Sequence, residues 1–120
     1  MVGCDALTSY RVLFHLDEGS AFRLKLTLSN IRNLFADFEV VEVECVVNGA
    51  GVKLFQTPTA NELEVIKTLA GRGVCFLVCQ HSLAVYGLSK ESMLEVVDFV
   101  PSGVGELVKK QAEGWAYIKP

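Results

Sequence analysis

The stretch "GVCFLVCQHSL" (Gly73–Leu83) decides the fold: from Val74 to Cys79 it carries no polar side chain on either face, then breaks into Gln80-His81-Ser82. A strand with one wet face alternates polar and apolar residues, whereas an unbroken apolar run bounded by turn signals is typical of a central strand in a parallel sheet covered on both sides. Parallel strands need crossover connections. The flanking sequence supplies them.

Upstream, "YRVLFHL" (Tyr10–Leu16) is a strand with an almost unbroken apolar interior, and it leads through Asp17-Glu18-Gly19 to Ser20, a helix cap. Leu24, Leu28, Ile31, Phe35 and Phe38 then recur at the spacing of one buried stripe, which predicts a helix to about Phe38 with Arg23, Lys25 and Arg32 facing solvent. "VVEVECVVN" (Val40–Asn48) alternates Val41, Val43, Cys45 and Val47 against Glu42 and Glu44, the period of a strand with one wet face, and is expected at an edge. Asn48-Gly49-Ala50-Gly51 reads as a turn and "VKLFQ" as a short helical piece. Thr59 and Glu62 form a capping box, opening a helix through Leu63, Ile66 and Leu69 that stops at Gly71 or Gly73. Near the end come a short strand at about Val96–Val100, a helix start at Pro101-Ser102-Gly103 and a last strand, "WAYIK".

Strands alternating with helices predict an α/β fold, a three-layer α/β/α sandwich with a mainly parallel five-stranded sheet. If the half-wet second strand lies at an edge and the two all-apolar strands are central, the simplest order is 2-1-3-4-5, with the fifth strand closing the far edge. Residues 1–120 are expected to form a single domain, with 1–9 as a flexible arm. Ligands of open α/β sheets bind beyond the carboxyl ends of the strands where the winding reverses. That point is predicted between strands one and three, flanked by His15-Leu16-Asp17-Glu18 and Cys79-Gln80-His81-Ser82, with Asn48-Gly49 next along the same edge.

Hydrophobic residues make up 51% of the chain and charged ones 21%, more apolar surface than one core of 120 residues usually needs. Burial between subunits is a natural use for the excess, so a homo-oligomer is expected. No apolar run approaches the roughly 20 residues of a membrane helix, and "MVGCDALTSYR" lacks the basic start and long hydrophobic centre of a secretory signal. The expectation is a cytoplasmic protein that neither spans a membrane nor is secreted. A net charge of −3 argues against a nucleic-acid surface, and Lys109-Lys110 reads as a solvated helix face.

Four cysteines in such a chain point to free thiols in a reducing compartment. Cys75 and Cys79, about 13 Å apart along a strand, are too distant for a local disulfide. With two histidines, His15 and His81, and no Cys/His ligand spacing, neither a metal nor another cofactor is expected.

Cys79 is the candidate nucleophile. A thiol at a strand's carboxyl end, just before a helical turn, meets backbone N–H groups and the positive end of a helix dipole, both of which favour the thiolate. His81 is the candidate partner imidazole. The competing reading is a small buried hydrophobe, the usual state of a free cysteine, and position alone does not separate the two. Cys45 and Cys75 read as packing residues, and Cys4 as part of the arm. His15 reads as a core histidine, and Asp17 and Glu18 as carboxylates preceding a helix. Ser102-Gly103-Val104-Gly105 could present N–H groups to an anion, but has no Lys or Arg beside it.

Taken together, "YRVLFHLDE", "LSNIRNLFADF", "VVNGAGVKLF", "GVCFLVCQHSL" and above all "VPSGVGELVKKQAEGWAYIKP" resemble the small DsrE/DsrF-like proteins of the YchN-like fold, from about Tyr10 to Pro120. The resemblance implies trimers or hexamers, and implies that Cys79 is the thiol of an intracellular sulfur relay. Members of this subgroup typically read Cys-x-Asn-Thr-Leu where this chain has Cys79-Gln80-His81-Ser82-Leu83, so His81 stands in place of an asparagine.

The function expected on these grounds is a persulfide carrier or sulfurtransferase-like protein using Cys79 and His81, with Asp17, Asn48, Gly49 and Ser82 binding the cargo and a protein as sulfur donor or acceptor. A non-catalytic oligomer that holds a small ligand is the alternative. A redox sensor, with Cys79 pairing across a subunit interface, is a third reading.

Overall fold

A computed structural model describes residues 9–39 and 41–120, so the arm expected at 1–9 lies, but for Ser9, outside the described residues, as does Cys4. Five strands form one sheet, all paired in parallel: β1 (Tyr10–Leu16), β2 (Val41–Val47), β3 (Cys75–Cys79), β4 (Asp98–Val100) and β5 (Ala116–Ile118). The helices between them are α1 (Ala21–Asp37), α2 (Ala60–Gly71), α3 (Gln80–Tyr86) and α4 (Gly103–Ala112), with a 3₁₀ helix at Gly49–Phe55 before α2.

Local signals place the helices. Ser20 Oγ accepts from the Arg23 N–H to start α1, and Ser102 Oγ accepts from the Gly105 N–H to start α4. Thr59 and Glu62 exchange both hydrogen bonds of the capping box at the start of α2. The stripe of α1 buries Leu24, Leu28 and Ile31. Phe38, which caps the helix, stacks on Tyr10 with ring centroids 4.3 Å apart.

The α/β class and the five-stranded parallel sheet are as expected, but the strand order runs β4-β3-β2-β1-β5 rather than 2-1-3-4-5. β2 is interior, between β1 and β3, and the last five of its residues are buried. Its apparent wet face misleads because Glu44 is covered by α4, where the Lys110 ammonium lies 3.2 Å from the carboxylate. Lys110, expected on a solvated face, is itself drawn into this cluster by Glu44, Glu106 and Glu113. The short β5 pairs with β1 and forms an edge.

This order sets the layers. Right-handed crossovers carry the chain stepwise from β1 to β4, placing α1, α2 and α3 on one face; the return from β4 to β5 runs the opposite way and puts α4 on the other. The first face holds the main core, with Phe14, Cys45, Val47, Phe55, Ile66, Phe76 and Val78 almost wholly buried. The second is thin: Leu107 of α4 covers Leu13 and Val46, with Trp115 at its margin. Cys75, at the start of β3, is exposed rather than packed.

Candidate functional site

Adjacent strands whose connections leave to opposite faces open a crevice at their carboxyl ends. Here those strands are β3 and β4, followed by α3 and α4, not strands one and three. Cys79 ends β3, and Ser102-Gly103 follow β4, so the thiol sits between the first turns of two helices. Gly103 allows this approach. A Cβ there would lie 2.9 Å from Asn48 Cβ and 3.3 Å from Cys79 Cβ, so a side chain would force the two apart.

Cys79 serves as the N-cap of α3, its Sγ accepting from the Ser82 N–H at 3.4 Å. Burial pushes the thiol pKa up. The Ser82 hydroxyl and the N–H groups of Gly103, Ser82 and His81 outweigh that effect and hold it below the ordinary thiol value. The other described cysteines move the opposite way. Burial pushes Cys45 up to about 12, and burial together with the nearby carboxylates of Glu44, Asp98 and Glu42 raises Cys75.

The loop after β2 completes this wall. Ser82 Oγ accepts from the Gly49 N–H at 2.8 Å, tying that loop to α3. A Cβ on Gly51 would stand 2.6 Å from the Leu16 carbonyl oxygen, so only glycine lets the loop lie against the end of β1. Asn48, anchored by its N–H to the Leu16 carbonyl at 3.1 Å, thereby falls between His15 and Cys79.

Cys79, Ser82, Gly49 and Asn48 therefore come together. Asp17 stands farther along the edge, bonded to the Lys119 ammonium at 2.6 Å, which holds its carboxyl below the usual range. The His81 side chain is exposed and makes no hydrogen bond among the described residues; its N–H donates to the Pro101 carbonyl at 3.3 Å. Tyr117 and Lys119 join the site region although the sequence assigned neither of them a part in it, and with them come His15, read as a core histidine beside the predicted crevice, and Gly103, read as part of a separate helix start. His15–Tyr117 and Asp17–Lys119 each span 102 residues, and no local pattern signals such a contact.

Cys79 thus lies, lined by N–H donors, at the winding reversal of a parallel α/β sheet, the place where proteins of this class bind their ligands. Residues 8–120 match the DsrE/DsrF-like family, and the chain belongs to it; the family is associated with sulfur relay in general. Among solved structures, a protein of unknown function from Methanobacterium thermoautotrophicum, MTH1491, is 43% identical with a TM-score of 0.87, the match covering 93% of this chain and 100% of that one. A search of curated proteins returns no match. Among the described residues, no helix is long and apolar enough to cross a membrane.

Proposed function

We propose that the protein is an intracellular sulfur-relay carrier, or a sulfurtransferase-like protein, in which Cys79 takes up a sulfane sulfur as a persulfide. The observation that carries this reading is the contrast among the thiols: Cys79 alone of the described cysteines has its thiolate favoured, by donors from two helix starts. In the loading step the thiolate attacks the outer sulfur of a persulfide donor, R–S–SH. A bond forms between Sγ and that sulfur, the donor's S–S bond breaks, and its electron pair leaves on R–S⁻. The transferred sulfur then releases its proton to water, leaving the outer sulfur anionic; once reprotonated, that sulfur passes to an acceptor thiolate by the same exchange in reverse. His81 contributes through its N–H rather than its ring.

Treated with a persulfide donor, the protein is expected to gain one sulfur atom, located on Cys79 by mass spectrometry and absent from Cys79→Ser. Sulfur distributed equally over Cys45 and Cys75, or none at all, would sink the proposal. A small ligand held equally well by wild type and Cys79→Ser would instead favour the passive binding protein.

A homo-oligomer, trimer or hexamer, belongs to the same reading. Val104 and Val108 on the outer side of α4 are 60% and 62% exposed, on the sheet face that α4 alone covers among the described residues. Light scattering is expected to give a multiple of the 13.1 kDa chain mass, and Val108→Glu to shift it toward the single-chain value. A single-chain mass for the wild type would end this part of the proposal.

A further inference from the structure

Three strand ends present one polar side chain each to the face covered by α4. Leu13 and Val46 belong to the cluster under that helix, and His15 and Asn48 follow them by two residues on the same face. Leu77 and then Cys79 alternate likewise on β3, and the contacts a Cβ on Gly103 would make place Asn48, Cys79 and Val46 around one point. Since the order is β3-β2-β1, Asn48 lies between the thiol on one side and the imidazole on the other.

The protons can be placed by charge and chemistry. His15 Nε2 lies 2.9 Å from the Asn48 amide and 4.0 Å from the Asp17 carboxylate, which is held on its far side by Lys119. The amide atom at 2.9 Å is Oδ1, which can only accept, so Nε2 carries the hydrogen, and the negative charge of the nearby Asp17 carboxylate favours the same assignment. The opposite ring atom, Nδ1, then accepts from the Tyr117 hydroxyl at 2.6 Å. Oδ1 is thereby committed on the β1 side, and Nδ2 makes no hydrogen bond among the described residues.

We infer that His15 and Tyr117 are positioning residues that lock the Asn48 amide with its N–H₂ end turned toward Cys79, giving the crevice a dedicated donor for the outer, anionic sulfur of a persulfide. The cargo in this statement rests on the sulfur-carrier reading, whereas the orientation of Asn48 does not. The arrangement selects for negative charge one bond beyond Sγ, because a fixed N–H donor gains most from an ionised acceptor.

Two readouts test it: the pH dependence of Cys79 alkylation by iodoacetamide, and the rate of sulfur loading from glutathione persulfide. Asn48→Asp keeps the shape but replaces the donor by a carboxylate, and is expected to raise the alkylation midpoint and slow loading by about tenfold or more, the loss of a hydrogen bond to a charged group. His15→Ala is expected to slow loading by roughly three- to tenfold, and His15→Gln, whose amide N–H can still donate to Oδ1, to recover most of it. Tyr117→Phe removes only a hydroxyl on an edge strand, and should move both readouts in the same direction even where His15→Ala fails to fold. Midpoints and loading rates unchanged in Asn48→Asp and Tyr117→Phe would overturn the inference. Wild type that takes up no sulfur while Asn48→Asp still shifts the alkylation midpoint would refute the cargo and leave the locked amide standing.

Discussion

Raising the pH from about 4.5 to about 7 is expected to remove about 1–3 kcal/mol of stability through one side chain, Glu44, and Glu44→Gln should abolish that slope. Glu44 sits under α4 in β2, where burial pushes its pKa up to about 7; the Glu106 carboxyl adds to the rise and the Lys110 ammonium opposes it. Its Oε1 is buried without a partner among the described residues. In the unfolded chain the same carboxyl ionises near 4.5, so between these values the folded state binds more protons than the unfolded one. Stability through this group is then greatest below 4.5, falls as pH rises, and is flat above about 7. Asp17 acts oppositely, its depressed pKa withdrawing stability as pH falls through the acid range. Denaturant midpoints across this range measure the slope, and identical slopes in wild type and Glu44→Gln would show that Glu44 does not carry it.

Gly103→Ala is expected to destabilise the protein by about 1–3 kcal/mol and to move the Cys79 alkylation midpoint upward. The new methyl would meet Asn48 Cβ at 2.9 Å and Cys79 Cβ and Val46 Cγ1 at 3.3 Å, all beside paired strands with little room to give. The relief available is a shift of the start of α4, which withdraws the Gly103 N–H from the sulfur. Gly71→Ala is the matched comparison, because a Cβ there meets nothing within 4 Å. Equal stabilities for the two variants, or an unmoved midpoint in Gly103→Ala, would contradict the account of the close approach.

What the sequence disclosed depended on range. Ser20, the Thr59–Glu62 pair and Ser102 mark helix starts through bonds that span three residues, so each was legible locally. The run Val74–Cys79 likewise announced an interior strand, and Cys79 fell at the mouth of the site because it ends that strand. The order of the sheet was not legible. Glu42 and Glu44 look like a solvated face, and only Lys110, far along the chain, turns Glu44 into a buried partner. The same limit hid the site's second half. His15 reads as a core residue until Tyr117 and Asn48 arrive on either side of it. His81, two residues from the thiol, was the attractive base, yet the first turn of α3 leaves its ring in solvent and brings its N–H instead.

On the sulfur-carrier reading proposed above, the capping sulfur of α3 has a consequence for where negative charge rests. While Cys79 is unloaded, its negative charge lies where the Ser82 and Gly103 N–H groups point. Loading moves that charge outward by one bond onto the added sulfur, so the cap weakens as the cargo arrives and recovers when it departs. On that reading the charge is handed from one set of donors, the helix-start N–H groups, to another, the Asn48 amide, without leaving the strand ends.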